Sequence, residues 1–252
     1  MLLSPNHKPS GFTLIELLVV ISIISLLSSA ILTGLSGARN QARLAANKRF
    51  ETAVRSSISD CSVAFYNFES TSGSTVREAG GTGPDGAVSG TLERVDSLDG
   101  LGKAIRFVDG RNDEVKVPDK AVDRTKPLTV TGWAKIDGWP SQHGFFFADD
   151  NEQFQLGLEN NITEYELEAE TQNNSIRMSG PKADQSEWFH MAGVYDRKQS
   201  EIRMYIDGKM VNSVSASGDL KPGNLFLGGK GYLGGSQWDG LADNIRIYDC
   251  AF

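Results

Sequence analysis

Cysteine is scarce in this chain. Only Cys61 and Cys250 occur among 252 residues, so one internal disulfide is the most that can form, and the alternative is two unpaired small apolar side chains. They stand at the start and end of the region after residue 60, where one clasp would join the first and last strands of a domain and would imply an oxidising compartment. A basic excess is lacking as well. The 25 lysines and arginines face 32 acids, a formal charge of −7, which argues against nucleic acid as a sequence-independent partner. No serine or cysteine stands with a spaced acid in the pattern of a nucleophilic triad, and His190, within a run of strand formers, reads as structural. The literal G-x-G-x-x-G at Gly81-Thr82-Gly83-Pro84-Asp85-Gly86 contains a proline and has no helix after it, so it is a loop and not a nucleotide cradle. Charge itself is missing from one long stretch: between Phe12 and Leu32 the only charged side chain is Glu16.

About 21 residues at about 1.5 Å rise make roughly 32 Å of helix, enough to cross a bilayer core of about 30 Å. A carboxylate in such a segment costs on the order of 3 kcal/mol near the centre and less near an end, so Glu16 calls for a partner. The run opens with Gly11-Phe12-Thr13-Leu14-Ile15-Glu16. At these residues the chain resembles the precursors of type IV pilins and type II secretion pseudopilins. The resemblance implies that a prepilin peptidase cuts between Gly11 and Phe12, that Phe12 is methylated, and that Glu16 becomes the fifth residue of the mature chain. A positive amino group on Phe12 of one subunit would then neutralise Glu16 of its neighbour when the helices pack in a filament. Two other readings compete. A secretory signal peptide ending at Ser28-Ser29-Ala30 would hold Glu16 in its apolar core, and a plain membrane anchor has no use for Glu16. Arg39 and Arg43 follow the run while only His7 and Lys8 precede it, which by charge counting alone would leave the carboxyl side in the cytoplasm; the motif places that side outside.

Beyond the run, Leu35, Ala38, Ala42, Ala46, Phe50, Val54 and Ile58 recur at three- and four-residue spacing, which predicts that the helix continues with one apolar face. Gly34 and Gly37, each about 1 kcal/mol worse than alanine in a helix, mark a place for a local melt. Arg39, Arg43, Lys48, Arg49 and Arg55 are spread around it and read as a solvated or subunit-facing surface. From about residue 63 the helical period vanishes, and strands are predicted over 63–68, 104–108, 114–117, 128–136, 144–148, 154–158, 165–171, 175–178, 188–195, 201–206, 209–214, 225–227 and 243–248. So many short strands with short connections mean two packed antiparallel sheets. Asp207-Gly208 is a two-residue hairpin turn, and Ile202, Met204 and Ile206 supply a buried face.

The stretches around Gly132-Trp133, Trp188-Phe189-His190, Tyr205-Ile206-Asp207-Gly208 and Asp243-Asn244-Ile245-Arg246 stand in the order seen in laminin-G-like domains of the concanavalin A-like lectin/glucanase class. Residues 61–252 resemble that class, although its members continue for several residues past the last strand, where this sequence stops at Phe252. The expected fold class is α+β: a leader (1–11), a membrane and stalk helix (12–60), and an all-β jelly-roll sandwich (61–252). Members of the class often hold calcium between a loop and residues near the chain end. Carried over, the ligands would be Asp109, Asn112, Asp113, Asp239 and Asp243, and calcium takes about six to eight oxygens, backbone carbonyls included. The alternative is that Asp109 and Asn112 only cap their turn. Trp139 and Trp238 fall in glycine-flanked loops and are either sugar-stacking faces or buried anchors, whereas Trp133 and Trp188, inside strands, read as core. Glu164, Glu166, Glu168 and Glu170 alternate along one strand, superficially like the catalytic strand of glucanases in this class. The aspartate that the class sets between two glutamates is missing here, so the four read as a solvated sheet face and no enzyme is expected.

The combined expectation is a bacterial single-pass membrane protein that joins its copies in a surface pilus and displays an adhesin domain for a surface glycan or glycoprotein. Its other partners would be the prepilin peptidase and, before assembly, the inner membrane. The alternative is a minor pseudopilin of a type II secretion or DNA-uptake machine, with a glycan hydrolase further behind.

Overall fold

The computed structural model describes residues 12–98, 100, 102–118, 122–139, 143–149, 153–159, 164–171, 175–185, 187–220, 223–229 and 237–252. Helix α1 (Leu14–Ile58) is uninterrupted. It starts at a capping box that local sequence explains: the Thr13 hydroxyl accepts from the Glu16 N–H at 3.3 Å, while the Glu16 carboxylate accepts from the Thr13 N–H and hydroxyl, each at 2.8 Å. The expected melt at Gly34 and Gly37 is absent, because helix on both sides propagates cooperatively through two weak residues. The chain forms two compact units, Met1–Ala45 and Ala46–Phe252, so the division falls inside the helix and not at its end. In the first unit Leu14–Ile31 is long and apolar enough to cross a membrane, and none of it is buried.

The second unit begins with the last turns of α1 and a 3-10 turn (Ser59–Cys61). Seventeen strands follow among the described residues: β1 (Ser62–Tyr66), β2 (Thr71–Ser72), β3 (Thr75–Val76), β4 (Gly86–Ser89), β5 (Glu93–Asp96), β6 (Lys103–Phe107), β7 (Glu114–Val117), β8 (Leu128–Ile136), β9 (Gly144–Asp149), β10 (Phe154–Leu158), β11 (Glu164–Glu170), β12 (Ser175–Lys182), β13 (Phe189–Asp196), β14 (Glu201–Ile206), β15 (Lys209–Ser215), β16 (Leu225–Leu227) and β17 (Gly240–Tyr248). They build two antiparallel sheets. One runs β15-β14-β13-β8-β17-β6-β5 with β1 beside β17, and the other runs β12-β11-β10-β9-β16-β7-β4-β3-β2. Alternate residues such as Val130, Met191 and Met204 from the first and Leu156, Leu167 and Phe147 from the second fill the space between them. Strands β2 to β5 are not predicted from the sequence: they are two to four residues long and lie among turn-forming residues that break up any period. Both turn residues Asp207 and Gly208 have positive φ, 51° and 72°, as the hairpin turn requires.

The eight-stranded sheet is covered on its outer side too. Trp133, expected in the core, is indeed buried, and it lies under the end of α1, where its indole N–H donates to Glu51 at 2.9 Å. Glu51 also approaches Arg246 at 3.6 Å. The Phe50 ring meets those of His190, Tyr205 and Phe252 at 5.5, 5.8 and 5.7 Å, and Val54 and Ile58 pack on Tyr248. The Asn47 amide donates to the Asp207 carboxylate in the hairpin turn. Trp188, also expected in the core, precedes β13 and is half-buried. Cys61 and Cys250 form the disulfide, Cα atoms 5.8 Å apart. It joins the residue before β1 to a residue just after β17, where β1 pairs with the last residues of β17, Ile245 to Tyr248.

Candidate ligand-binding face

On the nine-stranded sheet, β10, β11 and β12 turn Leu156, Leu167 and Met178 inward, so the alternate residues share the outer face. Register sets Gln155 opposite Glu168, Glu168 opposite Arg177, and Glu166 opposite Ser179. The glutamates do share one face, as their alternation predicts, but that face is not evenly solvated: Glu166 is 0% exposed while Glu164, Glu168 and Glu170 are half-buried. Its carboxylate is held from both sides, with His143 Nδ1 3.0 Å from Oε2 and Arg177 Nε 3.0 Å from Oε1. The His143 ring lies parallel to that of Phe145 at 5.5 Å. Arg177 also bonds to Glu168 and comes within 3.9 Å of Glu159, whose carboxylate accepts from the Ser179 hydroxyl at 2.7 Å.

Burial, then the Glu166 charge and a hydrogen bond between the two carboxyl groups, push the Glu168 carboxyl up to about 7, against the pull of Arg177. The Glu168 carboxyl therefore keeps its proton up to near neutral pH. Beside it Gln155 is completely buried, and neither its amide oxygen nor its nitrogen has a hydrogen-bond partner. A bare buried amide costs about 1–3 kcal/mol. A shallow pocket of about 290 Å³ opens over Glu168, Glu170, Ser175 and Arg177. The pocket thus offers carboxylate and guanidinium groups, with the Gln155 amide buried opposite Glu168 in the register, a set suited to hydroxyl groups. Neither Gln155, His143 nor Arg177 stands out in the sequence, because only strand register brings them to the glutamates.

The five residues proposed for calcium do not converge. Asp113 is buried and accepts from the Thr91 N–H at 2.8 Å, with Arg111 3.5 Å from its other oxygen. Asp243 accepts from the Ser97 hydroxyl and, at 2.6 Å, from the Asn244 N–H. Asn112 takes φ 54°, the turn role that was its alternative. Asp109 and Asp239 do lie together, near Asp137: burial and then the charges of Asp109 and Asp137 push the Asp239 carboxyl up, while Arg106 pairs with Asp137 at 2.7 Å. Among the described residues, the one set of three or more His, Cys, Asp or Glu with ligand atoms within 4.8 Å of one another is Cys61, Asp249 and Cys250, and its two sulfurs are bonded to each other. Among the described residues, the five therefore do not come together as one calcium cage. Trp238 is not a stacking platform either. It is 0% exposed, packs on Phe146 and Phe189, and donates to the Leu241 carbonyl at 3.2 Å. Trp139 is 42% exposed and keeps a free ring surface. Gly11 lies outside the described residues, and Phe12 is exposed.

The model of the concanavalin A-like lectin/glucanases superfamily matches residues 109–252. The chain belongs to this superfamily. Residues 6–32 of the same concanavalin A-like chain match the prokaryotic N-terminal methylation motif. No curated protein matches it. Among solved structures, domain 4 of AbnA, a GH43 extracellular arabinanase from Geobacillus stearothermophilus in complex with arabinotriose, is 21% identical with a TM-score of 0.59, over 76% of this chain and 93% of that one. The binding domain of botulinum neurotoxin DC, in complex with rat synaptotagmin II, is 10% identical with a TM-score of 0.58, over 77% of this chain and 49% of that one. Trypanosoma rangeli sialidase, in complex with 2,3-difluorosialic acid, is 15% identical with a TM-score of 0.58, over 77% and 31%. At these identities the likeness is one of fold.

Proposed function

We propose that the chain is a type IV pilin-like subunit that displays a glycan-binding sandwich at the bacterial surface. A prepilin peptidase cuts between Gly11 and Phe12, Phe12 is methylated, and Leu14–Ile31 holds the protein in the inner membrane until it joins its copies in a filament. The observation that carries this reading is the presence in one chain of the methylation motif and a lectin-like sandwich, reached through one unbroken helix. In a single subunit the capping box satisfies Glu16 through Thr13, and on assembly the amino group of a neighbour's Phe12 takes over as its partner. The Cys61–Cys250 bond accords with an oxidising compartment outside the membrane. A filament repeats its binding domain, so weak single sites gain avidity.

The test is the processing step. Intact-mass analysis of the wild-type protein should find a chain that starts at Phe12 and carries one added methyl group, and Gly11→Leu should leave the uncut precursor in the membrane. A wild-type product cut after Ala30, or normal maturation of Gly11→Leu, would sink the reading. Deleting the gene should remove a surface fibre; loss of secreted enzymes with fibres intact would assign the protein to a secretion pseudopilus instead.

A further inference from the structure

We infer that the outer face of β10, β11 and β12 is the sugar site of the sandwich and takes neutral, hydroxyl-rich sugars, with Gln155 and Glu166 as its floor and Arg177, Glu168 and His143 as its rim. The inference rests on the reading of the sandwich as a glycan-binding module. Gln155 is the observation that points to a ligand. Its amide is fully buried with both polar atoms unpaired, while the neighbouring Gln153 amide donates to Glu170 at 3.3 Å. Folding does not reward a bare amide, but a ligand hydroxyl can both donate to it and accept from it.

Rigidity is the second argument. Glu166 is clamped between His143 and Arg177 at 3.0 Å each, so a hydroxyl pair would meet acceptors already in place. The rim is open to solvent: the side chains of Arg177, His143 and Glu168 are 48%, 21% and 17% exposed. Charge then selects the ligand. Arg177 reaches three carboxylates, Glu159, Glu166 and Glu168, so its positive charge is spent inside the face and nothing is left over to hold a carboxylated or sulfated sugar. Burying such an anion beside Glu166 would set like charges together. The flat side of the His143–Phe145 ring stack adds an edge against which a sugar ring can lie.

The experiment uses the full chain in a zwitterionic detergent that contains no sugar, applied to an array of neutral and anionic oligosaccharides. Wild-type protein should bind neutral spots, and Gln155→Met should weaken that binding at least about ten-fold, the equivalent of one or two lost hydrogen bonds. Its melting temperature should stay the same or rise, since a bare polar group has been removed. A structural amide would behave in the opposite way, with a lower melting temperature and unchanged binding, and that result overturns the proposal. Arg177→Met, at a half-exposed position, provides a second variant with the same expected loss. Binding that survives both changes but disappears in Trp139→Ala places the site elsewhere and leaves the glycan reading intact. Binding confined to anionic spots overturns the ligand class, and binding to no spot overturns the glycan reading itself.

Discussion

Acid should loosen the end of α1 from the sandwich through one residue, His190. Its ring is 1% exposed, sits edge-on to Phe50 and Trp133 at 5.5 and 5.4 Å, and has no hydrogen-bond partner at either nitrogen. The nearest charged groups do not compensate it: the Asp207 carboxylate is taken by the His190 backbone N–H and Asn47, and Glu51 by Trp133 and Arg246. Burial alone lowers its pKa from 6.5 to about 3. The folded value lies below the unfolded one, so the unfolded chain takes the proton first. The stability that neutral His190 allows is therefore complete above pH 6.5 and is lost as pH falls from 6.5 toward 3. At about 1.4 kcal/mol per pH unit, the loss reaches the order of 5 kcal/mol, a large part of the roughly 5–15 kcal/mol of a typical domain. Lifting the last turns of α1 exposes the ring without global unfolding, so tryptic cleavage at Lys48, Arg49 and Arg55 should rise before the sandwich melts. The control is His190→Phe, similar in shape and unable to titrate. Urea unfolding at pH 7, 6, 5 and 4 should show the gap between the two proteins widening by about 1.4 kcal/mol per pH unit below pH 6.5. Titrating carboxylates act on both proteins and cancel. Parallel loss of stability in wild type and variant would refute the argument.

Three further outcomes are expected. Glu51→Leu strands the buried Trp133 N–H and the Arg246 guanidinium, which lies over the Phe65 ring at 3.4 Å; it should cost about 2–4 kcal/mol in urea unfolding at pH 7, and a change below about 0.5 kcal/mol would show that water replaces the carboxylate. The disulfide closes a sequence separation of 189, so the paired change of Cys61 and Cys250 to alanine should lower stability by on the order of 5 kcal/mol, and alkylation of the native protein should find no free thiol. Calcium or a chelator should leave the melting temperature within about 1 °C, whereas a rise of several degrees in calcium would show that Asp109 and Asp239 find the missing ligands elsewhere.

The membrane-type run, the helix up to Ile58, the Asp207-Gly208 hairpin and thirteen of the strands were legible because each is written in a local period or a turn residue with its own φ requirement. Even the shared face of Glu164, Glu166, Glu168 and Glu170 followed from alternation. What alternation left open was what covers a face. Burial of Glu166 depends on His143 and Arg177, which strand register brings to it from β12 and from the segment before β9. Trp133 was rightly read as buried, yet its parity sets it opposite Val130 and Ala134, under a helix that precedes it by about eighty residues.

The residues carried over as a calcium site separated for the same reason. Asp113 and Asp243 are close to oxygen-rich neighbours in sequence, but in space Asp113 bonds to Thr91 and pairs with Arg111, and Asp243 bonds to Ser97. Trp139 and Trp238 were alike as glycine-flanked loop tryptophans, and packing against Phe146 and Phe189 sent only the second into the core. The sequence by itself determined the processing motif, the helix, thirteen of the strands and the family, all of which depend on the chemistry of neighbouring residues. Tertiary structure decided which polar groups are paired and which, like Gln155, are left bare, because pairing depends on residues far apart in the chain that only the folded sheets bring within hydrogen-bond reach.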